Sequence, residues 1–131
     1  MNIANNRFFR IALDRATKLA GKPGRIISLL AQLSVKIYNT KGNSLKLQTI
    51  RDQFNVIGRM IKAHLSGAYK IRSMRILIIL LAAIIYFINP FDLIPDLIFG
   101  IGLADDLAIL TWAYSAAAEE IDSFKNWENS L

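Results

Sequence analysis

The sequence predicts an all-α fold, a small bundle of about five helices with a short apolar helical hairpin broken at Asn89-Pro90. Three observations predict it. Apolar residues recur at steps of three and four along most of the chain, the period of one helix face. The breaks between those stretches are short and carry glycine, proline or asparagine. A length of 131 residues, 53% of them hydrophobic, is enough to close one core.

The first helix is expected over residues 3–20, with Phe8, Ile11, Leu13 and Leu19 set among basic residues. Gly21, Pro23 and Gly24 break it. A second helix over residues 25–38 carries Ile26, Leu29, Leu30, Leu33 and Ile37 at helical spacing. Residues 39–44 form a polar turn, and Ser44 can cap a third helix by accepting backbone N–H bonds. In that helix Leu47, Ile50, Phe54, Ile57, Ile61 and Leu65 make the clearest apolar stripe of the chain, opposite Lys46, Arg51, Asp52, Asn55, Arg59 and Lys62. The stripe is expected to pack on neighbouring helices, and a basic amphipathic helix lying on lipid is the alternative. His64, beside the stripe, reads as an ordinary boundary residue.

Residues 76–88 follow Arg72 and Arg75 as thirteen residues without a charge. As a helix they reach roughly 20 Å, short of the ~30 Å hydrocarbon core of a bilayer. Asn89-Pro90 ends the run, because the residue before proline avoids helical dihedrals. A second short apolar run, residues 107–118, carries Trp112 and Tyr114, which suit an interface. The two runs make a hairpin over residues 76–118, either the core of a soluble bundle or a pair inserted in a membrane. Arg72 and Arg75 at its entry favour the membrane, with the basic half cytoplasmic. The tail, residues 119–128, spaces Ile121, Phe124 and Trp127 three apart. It reads as the end of a helix or a short extra one, docked on the basic helices.

Charge divides the chain. Residues 1–75 hold 15 Lys and Arg against 2 acids, whereas residues 76–131 hold 1 against 8. The organisation expected is a basic helical N-terminal extension, residues 1–44, followed by a helical domain, residues 45–131. A basic half suits an anionic lipid surface, nucleic acid or the chain's own acidic tail. Nucleic acid is the weakest of these, since no recognition motif, zinc spacing or glycine-rich loop accompanies the cations. The absence of cysteine removes disulfides and thiolate chemistry, and a single histidine excludes a multi-histidine metal site. The N-terminus lacks a continuous apolar region and a small-residue cleavage site, so no secretory signal is expected.

Four aspartates, Asp92, Asp96, Asp105 and Asp106, interrupt the most apolar part of the chain. An unpaired carboxylate is costly in apolar surroundings, so each requires a partner. Asn89 is a good N-cap, Pro90 suits the first helical position and Asp92 then stands where a capping box places its acid. Pro95 stiffens the turn, and Asp105 and Asp106 follow Gly100 and Gly102 to open the next helix, near the positive end of its dipole. Ion pairing with Lys70, Arg72 or Arg75 is a second structural account. The functional account is a divalent-cation site, since Mg²⁺ or Ca²⁺ takes several oxygen ligands. Catalysis by carboxylates with separated pKa values is the remaining possibility; no His, Lys or Ser nucleophile is linked to them in sequence.

Gly67-Ala-Tyr69, the apolar run, residues 86–96, Gly102-Leu-Ala-Asp-Asp106 and Glu119-Glu120 with Phe124 and Trp127 together resemble the YkvA-like family, a small domain of unknown function (1232) common in bacteria. The resemblance covers about residues 45–128 and maps the family motif onto Asn89, Pro90, Asp92, Pro95, Asp96, Gly102, Asp105 and Asp106. Phe91 stands where the family usually has isoleucine, and Phe99-Gly100 replaces a proline often found there. The resemblance implies a helical, membrane-associated domain and no established reaction. The function expected is a non-catalytic membrane-associated module at the bacterial inner membrane or its cytoplasmic face. It would bind a protein partner or the inner leaflet, with no cofactor. The alternative is a soluble bundle whose aspartate cluster binds a divalent cation, with hydrolysis as its chemistry.

Overall fold

The computed structural model describes residues 7–39, 45–88 and 102–131. Among them run six α-helices: α1 (Arg7–Leu19), α2 (Pro23–Asn39), α3 (Leu45–Ser66), α4 (Met74–Ile88), α5 (Gly102–Ala116) and α6 (Ala118–Asn129).

The organising element is α4. Its side chains from Ile79 to Phe87 are all buried, and so is Leu77. A helix apolar all round must be covered all round. Here the cover is α1, α2, α3 and α5, with α1 making the most extensive contact. The apolar surface of the run therefore faces protein. No helix among the described residues is long and apolar enough to cross a membrane. Ring packing fixes the register of the cover. Phe54 of α3 stacks on Phe87 at 4.4 Å between centroids, and Phe9 of α1 meets Trp112 of α5 edge-on at 5.4 Å.

The local chemistry explains most boundaries. The turn after α1 is held by the Lys22 N–H donating to the Leu19 carbonyl at 2.8 Å. The second helix begins two residues earlier than expected, at Pro23. Proline at the first helical position has its φ already set and gives up an N–H that would be unpaired anyway. The α3 stripe packs as expected, with Ile50, Phe54, Ile57 and Ile61 buried. Gly67, at φ +82°, ends α3 in the left-handed region that glycine enters without penalty. Ser73 caps α4, its Oγ accepting the Ile76 N–H at 3.4 Å.

The helix count exceeds the expected five because the acidic tail forms its own helix. The break lies at Ala117, whose φ −103° and ψ 10° leave the helical region. The N-terminal α1 and α2 enter the same core as the rest, through Phe9, Ala12, Ala16, Ile26, Leu29 and Leu33. The Ser44 cap and the Asn89-Pro90 break fall outside the described residues.

Candidate functional site

Of the residues singled out by the sequence, Asn89, Pro90, Asp92, Pro95 and Asp96 lie outside the described residues. Gly102 opens α5, with Asp105 and Asp106 as the fourth and fifth residues of that helix. Among the described residues, no group of three or more His, Asp or Glu side chains is placed to hold a metal ion.

The structure brings together a different set of polar groups, on the segment between α3 and α4 and on α6. The Glu120 carboxylate accepts two bonds there. One comes from the Arg72 backbone N–H at 2.9 Å, the other from the Tyr69 phenol, a short contact. His64 Nδ1 accepts the Ile71 N–H at 3.0 Å, so the one imidazole of the chain is engaged with backbone. The Tyr69 phenol is pushed up to about 12, first by burial, then by its hydrogen bond to Glu120 and by that carboxylate's charge. Tyr69 also packs its ring against Phe124 at 5.3 Å and Trp127 at 5.5 Å. Arg59 completes the docking of α6, its Nε and Nη2 donating to Glu128 at 3.0 and 3.3 Å. The acidic tail thus sits on α3 and on the segment after it. A cleft of about 530 Å³ opens beside this latch, lined by Arg72, Ser73, Ser115, Glu119, Glu120 and Ser123.

A second feature lies on the N-terminal helices. Ile27, Val35 and Tyr38 of α2 are 59%, 60% and 88% exposed, large apolar groups turned away from the core. At 100° per residue these positions fall within one outward stripe, opposite Ile26, Leu29 and Leu33. Where α1 turns into α2, Arg15, Lys18, Lys22 and Arg25 surround a cleft of about 310 Å³. Sequence reading had the cations but missed the stripe. Projection of α2 on a helical wheel would have shown Ile27, Val35 and Tyr38 left over once the core face was assigned. The Glu120 latch had no such signal, because its partners are 48 and 51 residues away.

Comparison with known proteins places the central part of the chain. Residues 76–112 match a family described as a protein of unknown function (DUF1232). A relative from Bacillus subtilis (strain 168), described as "Uncharacterized membrane protein YkvA", is 33% identical over 69 residues. That alignment takes in 53% of this chain and 65% of the relative, so the chain spans less than two thirds of the protein it matches. No solved structure matches.

Proposed function

We propose that this chain, which carries a DUF1232 segment of the YkvA-like family, is a non-catalytic helical module that sits on an anionic membrane surface through α2. The observation that carries the reading is the outward stripe of Ile27, Val35 and Tyr38, on a helix whose first turn carries Arg25 and follows Lys22. Apolar side chains entering the headgroup boundary beside basic ones make an interfacial helix. Tyrosine suits that depth, with an apolar ring and a wet hydroxyl. Each Lys or Arg near an anionic leaflet adds about 1 kcal/mol of attraction. The description of the Bacillus subtilis relative as a membrane protein supports a membrane setting. Since α4 is covered by the protein's own helices, the reading is apposition to the bilayer rather than insertion, with the basic half on the cytoplasmic face of the bacterial inner membrane.

Sedimentation with vesicles tests it. The protein is expected to pellet with phosphatidylcholine vesicles containing phosphatidylglycerol and to stay in solution with phosphatidylcholine alone. A Val35→Glu, Tyr38→Glu double variant should lose more than about tenfold in partitioning, since each apolar side chain entering lipid contributes roughly 1.5–3 kcal/mol. Its melting temperature should hold, because both positions are exposed. Equal pelleting of variant and wild type would sink the reading. In cells, alkaline carbonate should release the protein from membranes; retention in the pellet would overturn apposition in favour of an integral hairpin.

A further inference from the structure

We propose that the corner between α1 and α2 is a binding site for a phosphate-bearing anion, with Arg15, Lys22 and Arg25 as its ligands. The cleft there holds about 310 Å³, and no carboxylate lines it. Lys18 pairs with Asp14 at 3.4 Å, whereas Arg15, Lys22 and Arg25 make no ion pair among the described residues. The fold itself forces these cations together. A three-residue connection, residues 20–22, folds the end of α1 back onto the start of α2, and both carry basic residues near the facing ends. Like charges so gathered repel, and a bound anion removes that repulsion.

The start of α2 points the same way. Its first turn has no acidic residue and carries Arg25, although a helix N-terminus favours negative charge. An anion in the corner would supply the missing charge to the cations and to the helix end together. Two guanidinium groups present paired N–H donors matched to phosphate oxygens, a geometry ammonium groups lack. The floor is apolar, formed by buried Ile85 and half-buried Leu19. That floor and the volume suit a phosphate ester with a short carbon skeleton better than a bare hydrated ion. No aromatic ring lines the cleft for a base to stack on, so a nucleic-acid strand is not its match.

As a lipid headgroup, the occupant rests on the membrane-surface reading; as a soluble phosphate ester it does not. The experiment uses the full chain, isotopically labelled, titrated with inorganic phosphate and with glycerol phosphate while backbone amide shifts are followed. Vesicles of phosphatidylcholine with phosphatidylglycerol form the second arm. A Lys22→Gln, Arg25→Gln variant is compared with a charge-matched Lys70→Gln, Lys125→Gln control remote in sequence from the corner. Saturable shifts confined to residues 15–26, weakened about tenfold or more in the corner variant and little in the control, are expected for a site with two charge-assisted ligands removed. If the corner variant also loses vesicle binding beyond the control, the source is the headgroup. If it does not, the source is a soluble phosphate. Wild-type protein that saturates with glycerol phosphate yet ignores vesicles keeps the site and ends the membrane reading. The proposal is overturned if no ligand saturates and the two variants bind vesicles equally.

Discussion

At the scale of single residues, the most consequential group outside the core is Glu120, because one carboxylate holds a backbone N–H and a phenol from the segment between α3 and α4. Tyr69→Phe removes one of these bonds and keeps the ring packing on Phe124 and Trp127. A hydrogen bond to a charged acceptor is worth about 1.5–3 kcal/mol, so chemical denaturation should show a loss near or below the lower figure for this half-buried site. The alkaline behaviour adds a signed test. With its folded pKa raised to about 12 from an ordinary 10.0, the phenol keeps its proton in the fold where the unfolded chain has lost it. Its contribution to stability is complete below about 10 and disappears as pH rises toward 12. The Tyr69→Phe variant should therefore fall less steeply than wild type across that window. Parallel stability profiles would show that Tyr69 titrates like a free phenol. A neighbouring position tests backbone rather than charge: Gly67→Ala places a Cβ at φ +82° and should cost about 1–2 kcal/mol, read as a lowered urea midpoint.

The elements show which parts of the fold a single sequence makes legible. Helices α1 to α4 could be read because their breaks carry chemical punctuation. Gly21 and Pro23 stand after α1, and a glycine ends α3. The break between α5 and α6 carries none. It falls in Ser115-Ala-Ala-Ala118, a run of small residues with no proline or glycine to stop a helix, so the sequence left the tail as either the end of a helix or a short extra one, and the structure takes the second. Its cause is tertiary, since Phe124, Trp127 and Glu128 are drawn onto Tyr69 and Arg59. The aspartate motif shows the converse. Its pattern was plain in sequence, but its role depends on which side chains meet in space, and spacing along a chain does not encode that.

For α4 the sequence offered core or lipid as the fate of thirteen apolar residues and, through Arg72 and Arg75, favoured lipid, whereas the surrounding helices bury the run against protein. Leu81 is fully buried at the middle of the helix. Leu81→Ala leaves a cavity that packed neighbours only partly refill, and such changes cost about 2–5 kcal/mol. Against a typical total of 5–15 kcal/mol this is a large share. Urea unfolding without detergent should show a loss in that range. A loss well below it would mean that α4 lacks the enclosure that its burial describes.

On the scale of the whole molecule, charge and apolar surface make opposite demands, and salt separates them. The first 75 residues carry a net +13 and the remainder −7, yet only two ion pairs form among the described residues, Lys18–Asp14 and Arg59–Glu128. Both are open to solvent, and exposed pairs contribute at most about 1 kcal/mol each. These two pairs thus add little beside what the core supplies. Repulsion among the cations of α1, α2 and α3 opposes the compact state, and added salt screens it. Membrane binding through the same cations depends on attraction to anionic lipid, which a shorter Debye length weakens. The two responses therefore have opposite signs. Raising sodium chloride from low to several times physiological concentration should hold or raise the melting temperature while lowering partitioning onto phosphatidylglycerol vesicles. Thermal melts and sedimentation on the same samples give both values. A melting temperature that falls together with vesicle binding would mean that the basic half is held to the fold by its own acidic tail, and the cations would then be unavailable to a membrane.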